Sequence, residues 1–162
     1  MKDRVIHGIL LLIAWVLMTG SIGLANITAG IVVSAVIVIL LGGLMFPDPE
    51  KIMNPRRLFW FLYFILVFLW HMIKANIDVA YRVLHRDIPI NPGIVMVKTN
   101  LKSDLGLTFL ANAITLTPGT LTLDCIGDSL YIHWINITTD DPRLRTEIIV
   151  KRFETILRKV FE

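Results

Sequence analysis

Three ionisable side chains, His71, Lys74 and Asp78, lie at the end of a long apolar block of the sequence. Ionisable groups within a membrane segment are typical of an ion or proton path. The alternative is that these residues mark the membrane interface, where long polar side chains reach towards lipid head groups or a neighbouring subunit. Because no Asp or Glu occurs inside an apolar block, the interface interpretation is favoured, and the chain is not expected to carry ions alone.

Other chemistry-bearing residues are scattered along the chain. Its four histidines fall in different predicted elements, at His7, His71, His85 and His133. His133, in a predicted strand, joins the three residues above as a candidate ion-path or interface residue. Cys125 is the only cysteine, so neither an internal disulfide nor a cysteine zinc site is expected. We predict no catalytic, cofactor-binding or metal-binding residue, and therefore no enzyme.

A Thr-Pro-Gly segment predicts a rigid corner between a helix and a strand. Pro118 fixes φ, and Gly119 permits the positive φ of a type II turn. Threonines alternate with apolar residues on both sides of this corner, including Thr115 and Thr117. The pattern predicts an amphipathic strand that starts at the corner.

The first half of the chain predicts three transmembrane helices. No Asp, Glu, Lys or Arg occurs between Val5 and Phe46, and a second apolar block runs from Leu58 to Ile73. About 20 apolar residues cross a bilayer as a helix. The first two helices are expected to form a hairpin, Ile6 to Met18 and then a helix capped by Asn26 that ends at Met45 before Pro47. The third is expected to start at Asn54-Pro55 and to continue to Leu84.

The second half predicts a small α+β domain with the order β-α-β-β-α. The strands are expected at Ile94–Lys98, Gly119–Cys125 and Leu130–Ile135, with a helix from Asp104 to Ile114 between the first two. A final helix should start at Asp141-Pro142 and bury one apolar face, formed by Leu144, Ile148, Ile149, Phe153, Ile156, Leu157 and Val160. We therefore expect a transmembrane domain at 1–86 and an α+β domain at 87–162.

The segment from Leu110 to Asp124 resembles the signature of the E subunit of the Mrp-type multisubunit Na+/H+ antiporters. The matching positions include Asn112, Thr115, Thr117, Pro118 and Gly119. Similar stretches occur in the first hairpin, in Lys74 to Leu84 and in Leu130 to Ile135, so the resemblance covers nearly the whole chain. It implies a non-catalytic subunit that serves assembly and contributes to the Na+ path. The alternative is the homologous subunit of an archaeal redox-driven complex, a membrane-bound hydrogenase or sulfur reductase.

The resemblance also implies partners and a location. The partners would be other membrane subunits, membrane lipids, and Na+ and H+ as the ions that the complex transports. The net charge of +3 is modest, and no dense run of Lys or Arg indicates nucleic acid. A cytoplasmic C-terminal domain in the cell membrane is expected. With three spans this places Lys2 and Arg4 outside, whereas the positive-inside rule, applied to the short loops, prefers Arg56 and Arg57 inside and predicts the reverse. A shallow first hairpin that does not fully cross the membrane would reconcile the two.

Overall fold

The computed structural model describes residues 2–42 and 54–162 of the chain. The contacts divide the chain into two compact units, Met1–Asn54 and Pro55–Glu162. The predicted helix end at Met45 and the proline stop at Pro47 lie outside the described residues. The predicted division at 86/87 remains a prediction.

The first unit is a helical hairpin of α1 (Lys2–Thr19) and α2 (Leu24–Leu41). Gly30, Ser34 and Val38 form the buried face of α2. A Cβ atom at Gly30 would lie 2.6 Å from Cδ1 of Trp15, so only glycine permits this approach of the two helices. Small residues at helix contacts are typical of membrane helix pairs.

The predicted cap of α2 is wrong. The helix begins at Leu24, after Gly23, so Asn26 lies inside its first turn. The side chain of Asn26 instead ties the hairpin turn together. Its amide nitrogen donates to Oγ1 of Thr19 at 2.9 Å and to the carbonyl oxygen of Ser21 at 2.6 Å, and its Oδ1 accepts from Nε1 of Trp15 at 3.2 Å. These contacts cross the turn, and capping statistics do not anticipate them.

The second unit starts with α3 (Pro55–Leu84), the 30-residue helix that Asn54-Pro55 predicts. After it come β1 (Gly93–Lys98), α4 (Asp104–Leu116), β2 (Thr120–Ile126) and β3 (Ser129–Trp134). The chain ends in α5 (Pro142–Thr146), a π-helical turn (Glu147–Lys151) and α6 (Arg152–Phe161). The three strands form an antiparallel sheet in the order β1-β3-β2.

The core of this unit lies between the sheet and the helices. Val95, Val97, Leu130 and Ile132 alternate along β1 and β3 and point inwards, as the period of a half-buried strand requires. They meet Leu110 and Ile114 of α4 and Phe153 and Leu157 of α6, all fully buried. Phe64 of α3 belongs to the same core, so α3 is part of this unit's packing.

The predicted apolar face of the last helix is partly wrong. Ile149, Phe153, Ile156, Leu157 and Val160 are buried, but Leu144 and Ile148 are 47% and 44% exposed. The π-helical turn inserts an extra residue into the helical repeat and rotates the face, so that Val150 is buried instead.

Two described helices, α2 and α3, are long and apolar enough to cross a membrane. The helix α1 is not one of these two, and its first turn carries Lys2, Asp3 and Arg4. The chain thus has the fold of a membrane subunit with two to three apolar helices and a three-stranded antiparallel sheet. The count of three membrane spans stays a prediction.

Candidate functional site

The Thr-Pro-Gly corner joins α4 to β2 and is held by its own hydroxyl groups. Gly119 has φ of +91°, which L side chains rarely adopt, and the amide of Thr120 donates to the carbonyl oxygen of Thr117 at 3.3 Å. Thr117 is only 2% exposed, and its Oγ1 donates to the carbonyl oxygen of Ala113 at 2.7 Å. The hydroxyl therefore satisfies one of the carbonyl groups that a helix end leaves unpaired.

The alternating threonines fasten β2 to α4. Oγ1 of Thr120 donates to the carbonyl oxygen of Ile114 at 2.7 Å, and Oγ1 of Thr122 donates to that of Ala111 at 3.1 Å. In the other direction, Oγ1 of Thr115 accepts from the amide of Thr122 at 3.1 Å. The hydroxyl groups of this segment are thus engaged with the main chain. Asn112, the remaining motif residue, is exposed on α4.

The candidates on α3 lie in different surroundings. The ring of His71 packs edge-on against Phe153 of α6, with 5.6 Å between the ring centroids. Asp78 is exposed and forms a bidentate pair with Arg82, with N–O distances of 2.8 and 3.1 Å. Lys74 is exposed, and within the described residues it forms no ion pair with Asp78. Spacing of four residues would also allow Lys74 to pair with Asp78, but the ion pair on this face joins Asp78 and Arg82.

His133 is not brought together with His71. It is exposed in β3, paired in register with Ile94 and Leu121, on the sheet face opposite the core. His71 lies on the helical side of the unit, against Phe153. In the part of the chain that the structure describes, no group of three His, Cys, Asp or Glu side chains could hold a metal ion.

Sequence reasoning missed a buried carboxylate, Glu154 of α6. It is 5% exposed and accepts hydrogen bonds from Oγ1 of Thr99 at 3.0 Å and from the amide of Asn100. Oγ1 of Thr99 in turn accepts from the amide of Leu101 at 3.2 Å. Glu154 therefore holds the turn between β1 and α4. Its position beside Phe153 and before Ile156, inside an apolar face, is the only signal of this role in the sequence.

The neighbouring Arg152 is half-buried. Its guanidinium carbon lies 4.8 Å from the centroid of the Phe153 ring, and its Nε is buried without a hydrogen-bond partner among the described residues. Burial lowers the pKa of Arg152 from its ordinary value. Since the ordinary pKa of an arginine lies far above neutral pH, the side chain still carries a positive charge at neutral pH.

In the hairpin, His7 is the one titratable residue of the apolar stretch, and it is 3% exposed. Neither of its ring nitrogens has a hydrogen-bond partner within residues 2–42 and 54–162. A polar group buried in this way is costly unless it gains a partner. Its burial could not be read from the sequence, because a helix with apolar residues all round does not reveal its contact face.

The chain is similar to subunits of known membrane complexes. Residues 8–160 match the family described as Na+/H+ ion antiporter subunit. The E1 subunit of the Na(+)/H(+) antiporter of Staphylococcus haemolyticus is 33% identical, over 100% of this chain and 99% of that protein. A chain of the membrane-bound sulfane sulfur reductase, an archaeal respiratory membrane complex, is 42% identical with a TM-score of 0.90, over 99% of this chain and 100% of that one. A chain of the Mrp complex from a Dietzia species is 30% identical over 67% of this chain and 100% of that one, with a TM-score of 0.46. This chain belongs to the Na+/H+ antiporter subunit family, as one of its E-type members.

Proposed function

We propose that this chain is a non-catalytic, integral subunit of a multisubunit Na+/H+ antiporter of the cell membrane. Its C-terminal domain lies on the cytoplasmic side and serves assembly with other membrane subunits. The main support is the way in which the motif threonines are used. Thr117, Thr120 and Thr122 all direct their hydroxyl groups to main-chain carbonyl oxygens of α4, so the motif builds a rigid corner.

The groups on α3 fit the same role. Asp78 is paired with Arg82, whose Nη1 also donates to the carbonyl oxygen of Pro89 at 2.6 Å. This side chain thereby links the end of α3 to the segment that leads into β1. His71, Lys74, Asp78 and His133 remain candidates for the ion path or for contacts with neighbouring subunits.

Thr117 separates an assembly role from an ion-ligand role. Thr117→Val removes the buried hydroxyl while keeping the shape of the side chain, and Thr117→Ser is the matched control that keeps the hydroxyl. We expect Thr117→Val to lower the amount of assembled complex in the membrane while the Na+/H+ exchange rate per assembled complex stays at the wild-type value. Normal assembly with lost exchange would contradict the proposal and indicate an ion ligand.

The alternative from the sequence, a membrane-arm subunit of a redox-driven Na+-pumping complex, is not favoured by the comparisons over the antiporter. The two differ in what accompanies the chain. Purification from the native membrane in mild detergent, followed by mass spectrometry, should recover antiporter subunits. Iron–sulfur or nickel proteins in the purified complex would overturn the antiporter assignment in favour of the redox-driven complex.

A further inference from the structure

One face of α3 packs against the C-terminal domain along nearly its whole length. At its start, Arg57 donates hydrogen bonds to the carbonyl oxygens of Val160 and Glu162. One turn further, Nζ of Lys159 lies 3.8 Å from the centroid of the Trp60 ring. These contacts join the first turns of α3 to the end of α6.

The contact continues to the far end of the helix. Phe64, Phe68 and His71 surround the ring of Phe153, with centroid distances of 6.1, 6.3 and 5.6 Å. A Cβ at Gly119 would lie 3.7 Å from Cγ2 of Val79, and Arg82 donates to Pro89. From Arg57 to Arg82 the contact extends over about 38 Å of helix axis. This exceeds the hydrocarbon thickness of a bilayer, about 30 Å.

A spanning α3 would therefore take the domain into the hydrocarbon. The helix packed beside the middle of the apolar block is α6, which carries Arg152, Glu154 and Arg158. A charged side chain at the centre of a spanning helix costs about 2.5–3.5 kcal/mol on insertion scales. These contacts argue against a bilayer crossing by α3.

The opposite face of α3 is an exposed apolar stripe with helical spacing. Each member is between 44% and 85% exposed, and the members are Phe59, Leu62, Tyr63, Leu66, Trp70, Ile73, Ile77, Tyr81 and Leu84. Intervals of three and four residues keep this stripe on one side of the helix over its full length. Lys74 lies at the border of this stripe, and Asp78 and Arg82 follow on the side towards the domain, where Arg82 donates to the carbonyl oxygen of Pro89.

The chemistry of the stripe indicates its occupant. Tyr63, Trp70 and Tyr81 are spread along the helix, whereas a spanning helix concentrates such residues at its two ends. Amphipathic rings prefer the level of the lipid head groups. An apolar face with Trp and Leu, bordered by basic side chains, is the pattern of a helix that lies in the interface plane.

We infer that α3 lies in the plane of the membrane, with its stripe immersed in one leaflet and the C-terminal domain in water. The occupant of the stripe is lipid, and of the described helices only α1 and α2, which carry no Asp, Glu, Lys or Arg between Val5 and Leu41, cross the bilayer. This goes beyond the proposed function, because it holds whichever ions the complex exchanges.

The distribution of basic residues agrees with this arrangement. With two crossings, the N-terminal Lys2 and Arg4 lie on the same side as Arg56 and Arg57 and as the domain. All these residues are then on the cytoplasmic side, as basic residues beside spans usually are. The conflict that three crossings create, with basic residues on both sides, is removed.

Membrane depth tests the inference directly. Single cysteines replace Phe59, Leu66, Ile73 and Tyr81 in a Cys125→Ser background, and nitroxide labels on the assembled complex in lipid bilayers report access to oxygen and to a water-soluble nickel chelate. We expect all four labels at one shallow depth with ready access to oxygen. Labels at Leu24, Ile31 and Ile39 of α2 serve as the spanning control.

Two other results would overturn the inference. A spanning α3 would spread the four labels over about 33 Å of depth, with greatest oxygen access in the middle. A stripe covered by a neighbouring subunit would make all four labels inaccessible to both reagents.

Sidedness gives an independent test. Cys125 is exposed, so in the wild-type chain it reports the side of the domain. Asp3→Cys in the Cys125→Ser background reports the side of the N-terminus. With a membrane-impermeant maleimide, both cysteines should react in inverted vesicles and be protected in right-side-out vesicles. Reaction from opposite sides would mean an odd number of crossings between the two cysteines, and the inference would fail.

Discussion

The guanidinium of Arg57, at the start of α3, donates a hydrogen bond to the main-chain carbonyl oxygen of Val160, at 2.9 Å. Its second terminal nitrogen reaches the carbonyl oxygen of Glu162 at 3.0 Å. The last carbonyl groups of a helix have no partner within the helix and carry partial negative charge, so a cation is favoured there. One side chain thus fastens two helices that are more than a hundred residues apart in sequence.

We expect Arg57→Gln to loosen the end of α6. A hydrogen bond to a charged group contributes about 1.5–3 kcal/mol, and partial exposure places the expected loss at the lower end. Hydrogen exchange of the amides of residues 158–161, measured by mass spectrometry on the assembled complex, should be several-fold faster. Arg57→Lys keeps the positive charge but cannot donate to both carbonyl oxygens with one planar group. Its exchange rate should lie between those of the wild-type protein and of Arg57→Gln. Equal exchange in all three proteins would show that the contact carries no stability.

Gly30→Ala should disturb the hairpin, whereas Gly8→Ala should not. A Cβ at Gly30 would lie 2.6 Å from Trp15, whose ring is held by Asn26, but a Cβ at Gly8 has no atom within 4 Å. Overpacking costs about 1–3 kcal/mol. Because alanine is the better helix former by about 1 kcal/mol at either site, Gly8→Ala should slightly stabilise the chain. The melting temperature of the solubilised complex is compared for the two variants. A decrease of equal size for Gly30→Ala and Gly8→Ala would refute the packing argument.

Gly119→Ala should be more damaging than Gly127→Ala, although both glycines have positive φ. At Gly127, with φ of +61°, a side chain meets open space, so only the backbone cost of about 1–2 kcal/mol applies. At Gly119, with φ of +91°, the new Cβ would also approach Cγ2 of Ile135 to 3.0 Å. The yield and melting temperature of the complex should therefore fall further for Gly119→Ala. The reverse order would contradict the described corner.

Glu154→Leu should destabilise the domain strongly, because it leaves the Thr99 hydroxyl and the Asn100 amide without an acceptor. Each unsatisfied buried donor costs about 1–3 kcal/mol. Glu154→Gln retains an acceptor oxygen and should lose less. Thermal unfolding compares the two variants, and exchange of the Asn100 and Leu101 amides locates the effect. If both variants lost the same stability, a role for the charge rather than for hydrogen bonding would follow.

Asp128 provides a weak dependence of stability on pH. The hydroxyl of Ser129 and the ammonium of Lys98 donate hydrogen bonds to its carboxylate and hold its pKa below the ordinary value. A lowered pKa contributes stability above the unfolded-state pKa, near 4, and loses it as the pH falls through the folded-state value. Asp128→Asn should therefore lower the melting temperature slightly at pH 7 and not at the acidic end. A difference that grows on acidification would contradict this assignment.

Local signals are sufficient to predict much of the fold. Asn54-Pro55 predicts the start of α3, and Ser103 caps α4 by accepting from the amide of Gly106 at 3.1 Å. Gly127-Asp128 predicts the hairpin between β2 and β3. Each of these signals depends on a side chain and its immediate neighbours along the chain, so a sequence pattern can indicate it.

Features that depend on distant contacts escape a reading of the sequence. Phe64 and Phe68 face the domain while Leu62 and Leu66 are exposed, and the two sets are equally apolar. Hydropathy cannot distinguish a protein neighbour from lipid, so the pattern of α3 does not predict which of its faces packs against the domain. Glu154 gives little signal because its donors lie more than fifty residues away.

The π-helical turn at Glu147–Lys151 acts as a one-residue insertion that the helix absorbs without ending. Residues before the turn and residues after it therefore do not continue the same face of the helix. Leu144 and Ile148 are therefore directed outwards, whereas Phe153 and Leu157 close the core. A relative with one residue fewer between Asp141 and Phe153 should have an uninterrupted α-helix whose first half turns into the core. The number of residues between Asp141 and Phe153 in each family member would thus predict which side chains at the start of this helix are exposed.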